Sequence, residues 1–244
     1  MNYKAVLQYD GTRYRGWQTQ GNTDNTIQGK LETLLTKMAG EPVEVNGSGR
    51  TDAGVHAAGQ VISFQCKMKE SPEEICRYMN EYLPEDIAVL TVEEAAPRFH
   101  ARLNAVRKTY VYRIWNAPVR NVFRRRFTTW IQKPLDLDAM EQAATLLCGT
   151  HDYRAFCSLK KFKKSTVRTI EKIEIGKMGQ EIRISYTGDG FLYHMVRILT
   201  GTLVEVGLGL RKPEEMTEIL EGQDRTKAGR LMPPEGLTLE SVEY

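Results

Sequence analysis

The order in which two hydrophobic periods alternate along this chain restricts its fold more than any other feature. Runs with alternate apolar residues, the strand signature, are interleaved with runs at helical spacing. "YKAVLQY" (3–9) reads as a strand. "TIQGKLETLLTKM" (26–38) reads as a helix with Ile27, Leu31, Leu34, Leu35 and Met38 on one face. "VEV" (43–45) is a short strand, and "QVISFQC" (60–66) and "IAVLTVEEA" (87–95) are longer ones. Between the last two, "SPEEICRYMNEYL" (71–83) opens as a helix, with Ser71 as cap, Pro72 in the first turn and Glu74 closing a capping box.

That order, β-α-β-β-α-β, is the split unit of ferredoxin-like folds. The second half nearly repeats it. "KTYVYRIWN" (108–116) is strand-like, "DLDAMEQAATLLCG" (136–149) helical, and residues 166–190 read as a hairpin turning near Gly179. "FLYHMVRILTGTLVEVG" (191–207) is a helix with a stripe of Leu192, Met195, Leu199, Leu203 and Val206. A helix over 212–222 and a final strand over 236–244 follow. The repeat lies in element order, not in matching residues. The expectation is an α+β chain of two ferredoxin-like halves, 1–104 and 105–244, meeting near residues 97–107. Their mainly antiparallel sheets are expected to join and leave a central cleft.

The stretch "GSGRTDAGVHAAGQV" (47–61) sets one carboxylate, Asp52, among four glycines. Glycine permits tight turns and close approach of another molecule, so Asp52 reads as presented rather than buried. The plain alternative is a turn whose Asp bonds its own backbone. Asp52 and His56 could be imagined around a metal, but no third ligand lies nearby in sequence. No G-x-S-x-G elbow, P-loop or G-x-G-x-x-G fingerprint occurs.

Charge narrows the partner. Net charge is +3, yet residues 98–168 hold 16 Lys and Arg against Asp136, Asp138, Glu141 and Asp152, a local balance of +12. Two runs dominate, "RNVFRRRF" (120–127) with Arg124, Arg125 and Arg126, and "LKKFKKSTVR" (159–168) with Lys160, Lys161, Lys163, Lys164 and Arg168. Either run alone would read as a solvated face. Together, with Phe123, Phe127 and Phe162 interleaved, they point to nucleic acid, cations meeting phosphates and rings stacking on bases. The four cysteines form no C-x-x-C pair, which argues against zinc and redox motifs, and reduced thiols in a cytoplasm are expected. No apolar run approaches the roughly 18 residues of a membrane helix, and "MNYKAVLQYDG" has no signal-peptide core.

Two further residues are plain when read alone. Tyr110 in "RKTYVYRI" is a strand residue. Arg197 in "FLYHMVRILTG" falls about 200° from Met195 around the helix, away from the apolar stripe, where solvent exposure is the ordinary reading.

"YDGTRYRGWQTQ" (9–20), "GSGRTDAGVHA" (47–57), "KTYVYRI" (108–114), "VRTI" (167–170), "FLYHMVRILTGTLVEVG" (191–207) and "PPEGLTL" (233–239) together resemble, in the same order, the tRNA pseudouridine synthase A family. "GRTDAGVHA" is the most specific of these. The resemblance implies that Asp52 is the catalytic nucleophile, Tyr110 stacks on a base, Arg50 is the arginine before the "TD", and Arg197 is an ion-pairing arginine. It also implies isomerisation of uridines 38 to 40 in the tRNA anticodon stem-loop, no cofactor, and a homodimer. The chain departs from the family at Tyr193 and Ile198, where more polar residues are expected, and at Leu231 and Met232, where smaller ones are. These bear on substrate preference rather than on the reaction.

The chemistry suits one carboxylate. A glycosidic bond must break and re-form through carbon without water, so no second carboxylate is needed to activate water. Whether Asp52 attacks the base or acts on the sugar is open at this stage, as is the final proton acceptor. The base must leave its stack, at a cost of a few kcal/mol. Arg50 is placed to fill the gap, and Tyr110 could stack on the flipped base, worth ~1–3 kcal/mol. Arg197 is expected within salt-bridge reach of Asp52, holding it ionised. Two other readings compete. A non-catalytic RNA-binding protein would have no use for a carboxylate in a polyanion site. A metal-dependent nuclease would need an acidic cluster.

Overall fold

The computed structural model describes residues 1–21, 23–162 and 164–244. The chain is α+β, and the described residues form ten strands, largely antiparallel, and five α-helices. It divides into two compact units, Met1–Val106 with Thr238–Tyr244, and Arg107–Leu237. The last residues thus return to the first unit, an excursion that local periodicity does not show.

The first unit contains β1 (Asn2–Tyr9), α1 (Ile27–Ala39), β2 (Val45–Gly47), β3 (His56–Gln65), α2 (Pro72–Tyr82) and β4 (Ile87–Glu94). β1 lies between β3 and β4, antiparallel to both, and β2 pairs antiparallel with the other side of β3. The final strand, β10 (Leu237–Glu243), runs parallel to β3 with Thr238 opposite His56. On β1 the alternation is strict: Tyr3, Ala5, Leu7 and Tyr9 are buried. α1 lays Ile27, Leu31, Leu34 and Leu35 into the core, capped by Thr26 at its start and by left-handed Gly40 at its end. α2 carries the expected capping box between Ser71 and Glu74 and buries Ile75 and Met79.

The second unit contains β5 (Arg107–Asn116), β6 (Thr129–Ile131), α3 (Leu137–Leu146), β7 (Gly149–Asp152), β8 (Val167–Met178), β9 (Glu181–Gly188), α4 (Met195–Gly207) and α5 (Glu215–Gly222). Its strands run β5-β9-β8-β7, all antiparallel, with β6 parallel to β5. The β8–β9 hairpin turns at Gly179, as expected. α4 starts four residues later than its apolar stripe suggests. His194, just before it, has a left-handed backbone (φ 66°), which a continuing helix does not allow. Twelve of its thirteen residues are buried, all but Glu205. The Tyr186 hydroxyl of β9 meets Thr200 Oγ1 (2.8 Å), and Gly229 N–H donates to Thr202 Oγ1 (2.9 Å), so the helix is clasped on two sides.

Candidate active site

In the first unit, Asp52 sits on the connection between β2 and β3. Backbone bonds shape that connection: Ser48 N–H donates to Val61 O (2.8 Å), Trp17 N–H to Thr51 O (2.9 Å), and Val55 N–H to Asp52 O (3.1 Å). A buried side-chain network holds it from beneath. Gln60, fully buried on β3, accepts from the Ser48 hydroxyl (2.7 Å) and donates to Gly49 O (2.9 Å). The Tyr9 hydroxyl pairs with Thr51 Oγ1 (2.8 Å) and lies 3.4 Å from Gln60 Nε2. Burial pushes the Tyr9 phenol up to about 12, the bonds to Thr51 and Gln60 pulling the other way. Tyr9 therefore remains a neutral hydrogen-bonding strut at neutral pH.

Two glycines of "YDGTRYRGW" let the backbone press against this loop. A β-carbon on Gly11 would stand 2.0 Å from Val55 O. Gly16 has φ +96°, and a β-carbon there would lie 2.9 Å from Thr51 O. Gly11 N–H also donates to His56 Nδ1 (3.1 Å). The first motif is thus the bed on which the second lies, and their joint presence has a steric cause. The result is a half-buried Asp52, with Arg50 exposed two residues earlier.

In the second unit, Tyr110 is buried on β5, opposite Tyr186, with its ring edge-on to Phe191 (centroids 5.2 Å apart, 81°). Arg197 is not the solvent-exposed residue that its helical position suggests: it is only 9% exposed. Its Nε donates to Met232 O (2.7 Å), and Met232 N–H returns a bond to Arg197 O (3.3 Å). The guanidinium is therefore fixed along one edge by a backbone carbonyl, a fork held in a set plane. Met232, one of the departures from the family pattern, is fully buried, while Leu231 is 37% exposed.

The basic runs divide on inspection. Arg124 is ion-paired with Glu181, which also takes Arg183 Nε (2.7 Å). Burial opposes ionisation of Glu181, yet Arg183 and Arg124 hold its carboxyl below the ordinary carboxylate range. Arg125 and Arg126 are exposed, as are Lys160, Lys161 and Lys164. Arg168 is half-buried and donates to Ser165 O (3.0 Å) and Val167 O (2.6 Å). Lys163 lies outside the described residues. Phe162 is half-buried under the Arg154 guanidinium (5.2 Å), whereas Phe123 is 94% exposed.

Sequence reasoning passed over Tyr9 and Gln60. The available signal for Gln60 was a lone amide opening the largely apolar strand "QVISF", and a buried amide needs partners. Among the described residues, no group of three or more His, Cys, Asp or Glu is gathered that could hold a metal ion. Among them, too, no helix is long and apolar enough to cross a membrane.

Residues 5–104 and 143–244 match the family profile described as "tRNA pseudouridine synthase". A protein of Bacillus sp. (strain KSM-64) named "tRNA pseudouridine synthase A" is 48% identical over 243 residues, covering 100% of this chain and 99% of that one. One of the same name from Brevibacillus brevis (strain 47 / JCM 6285 / NBRC 100599) is 47% identical, covering 99% and 98%. "tRNA pseudouridine synthase A 1" of Clostridium tetani (strain Massachusetts / E88) is 44% identical, covering 100% and 99%. Among solved structures, "Crystal Structure of a Cbf5-Nop10-Gar1 Complex" aligns with 83% of this chain and 45% of that chain, at 12% identity and a TM-score of 0.39, too loose a likeness to bear on the fold.

Proposed function

Because the chain belongs to the tRNA pseudouridine synthase family, isomerases that convert uridine to pseudouridine in tRNA, we propose that Asp52 is its nucleophile and that uridines 38, 39 and 40 of the anticodon stem-loop are its targets. The observation that carries this is the clamped presentation of Asp52. A loop fixed by Gln60, Tyr9, Gly11 and Gly16 holds one carboxylate half-buried at its tip.

The reaction breaks the bond from ribose C1′ to base N1, turns the base and joins C1′ to C5. C5 loses its proton and N1 gains one, so nothing is oxidised and no water is consumed. Asp52 forms the transient covalent bond, to base or to sugar, that keeps the two fragments in the site. Tyr110 stacks on the extruded base and Arg50 fills the gap it leaves. Arg197, its fork fixed by Met232 O, supplies the cation that keeps the nucleophile ionised. Arg124, Arg125, Arg126, Lys160, Lys161, Lys163, Lys164 and Arg168 form the phosphate-contacting set. The proposal extends to a homodimer working in the cytoplasm. It also reads the first unit as ferredoxin-like, which the antiparallel order β4-β1-β3-β2 supports.

The test is incubation of the wild-type protein with an unmodified tRNA transcript and no added metal. Pseudouridine at positions 38 to 40 is the expected product. Intact RNA held without conversion would overturn it in favour of a binding protein, and fragments in favour of a nuclease.

A further inference from the structure

The loop between β5 and β6 holds an aromatic ring out in water. Phe123 is 94% exposed, and Val119 and Val122 beside it are 76% and 58% exposed. Side chains this apolar are seldom grouped in solvent without a partner.

The loop is not slack. Trp115 Nε1 donates to Val119 O (3.0 Å) and Trp130 Nε1 to Ala117 O (2.9 Å). Asn121 Oδ1 accepts from Phe123 N–H (3.1 Å) and Arg124 N–H (3.2 Å), and Arg125 Nη1 donates to Val122 O (2.8 Å). Arg124 is anchored through Glu181. The backbone around Phe123 is therefore set before any ligand arrives, which lowers the ordering cost of binding. Beside the ring lies an open groove of about 440 Å³ bordered by Trp115, Pro118, Val119, Arg120 and Gln180. Arg120 lies over the Trp130 ring at 4.5 Å, presenting a flat cation.

We infer that this groove is a binding site for an unpaired nucleotide of the RNA substrate, distinct from the reacting uridine, with Phe123 as the stacking platform and Arg120 and Arg125 near its phosphate. The inference rests on the RNA substrate proposed above. The charge decides the occupant. Arg120, Arg124, Arg125 and Arg126 fall within seven positions, and the loop from 117 to 128 contains no acid. A second copy of the chain meeting this face about a two-fold axis would set arginine against arginine, which is repulsive. A polyanion with exposed base faces meets both halves of the patch.

The experiment measures tRNA affinity, turnover and sedimentation for the wild type, Phe123→Ala and Phe123→Trp. Phe123→Ala should bind tRNA about 5- to 150-fold more weakly, with an unchanged sedimentation coefficient. Phe123→Trp should keep the affinity, and the fluorescence of the new indole should be quenched on adding tRNA. Affinity of Phe123→Ala within twofold of wild type would overturn the inference. A smaller sedimenting species for Phe123→Ala would also overturn it, showing that a second copy covers the patch. Wild-type turnover reads the uridine reaction separately, so either result leaves that reaction standing.

Discussion

Replacing Gln60 by Leu tests whether the loop presenting Asp52 is held from beneath. The side chains have similar volume, so packing changes little, but the two short bonds of 2.7 and 2.9 Å, to Ser48 Oγ and Gly49 O, are lost together with the longer contact (3.4 Å) to the Tyr9 hydroxyl. Each contributes about 0.5–1.5 kcal/mol net, and a carbonyl stranded at Gly49 costs about 1–3 kcal/mol more. The expected loss is roughly 2–6 kcal/mol. For a chain this long each kcal/mol lowers the midpoint by about 2–4 °C, so calorimetry should show a drop of roughly 5–25 °C. Below that transition the folded variant should bind tRNA as wild type does, because Gln60 is fully buried and offers no surface to a ligand. Its kcat should fall about 10- to 100-fold, since a displacement near 1 Å of a reacting group has that effect. A midpoint within 1 °C and a kcat within twofold of wild type would refute the reasoning.

Glu181→Gln should be less stable than wild type at neutral pH, with the gap closing in acid. A carboxyl depressed in the folded state contributes fully above its unfolded pKa, about 4.3, and loses that contribution as pH falls through the folded value. Urea unfolding across a pH series reads this, and a gap unchanged in acid would contradict it. Arg197→Lys removes the Nε donor to Met232 O and should lower kcat about 10- to 100-fold while KM moves less than threefold. A raised KM with kcat unchanged would mean Arg197 only binds. Neutralising Lys160, Lys161, Lys163 and Lys164 should flatten the plot of log affinity against log salt by roughly 0.7–0.9 per lost phosphate contact. An unaltered slope would place this run away from the RNA.

The legible parts of the fold were those whose cause is local. The cap of α2 lies within a few residues of the apolar stripe it serves, and Gly179 alone marks the β8–β9 turn. β6 and β7 span three and four residues, too short for a period-2 pattern to declare itself. The pairing of β10 with β3 joins residues about 180 apart, which no local pattern encodes. The plain reading of Arg197 as solvent-exposed failed for a related reason. Its angle on the helix was right, but that side of α4 is covered by Met232, 35 residues on. In the site, Asp52 stood out because glycines surround it. The hold on its loop did not, because Tyr9, Gly11 and Gly16 come from some 40 residues upstream.

The most direct measurement is the turnover of Asp52→Asn on unmodified tRNA transcript, read as pseudouridine at positions 38 to 40, beside its tRNA affinity. The amide keeps the shape of the side chain but cannot act as a nucleophile. The account predicts turnover below about one-thousandth of wild type with affinity within a few-fold. Turnover within about tenfold of wild type, in a preparation free of wild-type enzyme, would contradict it.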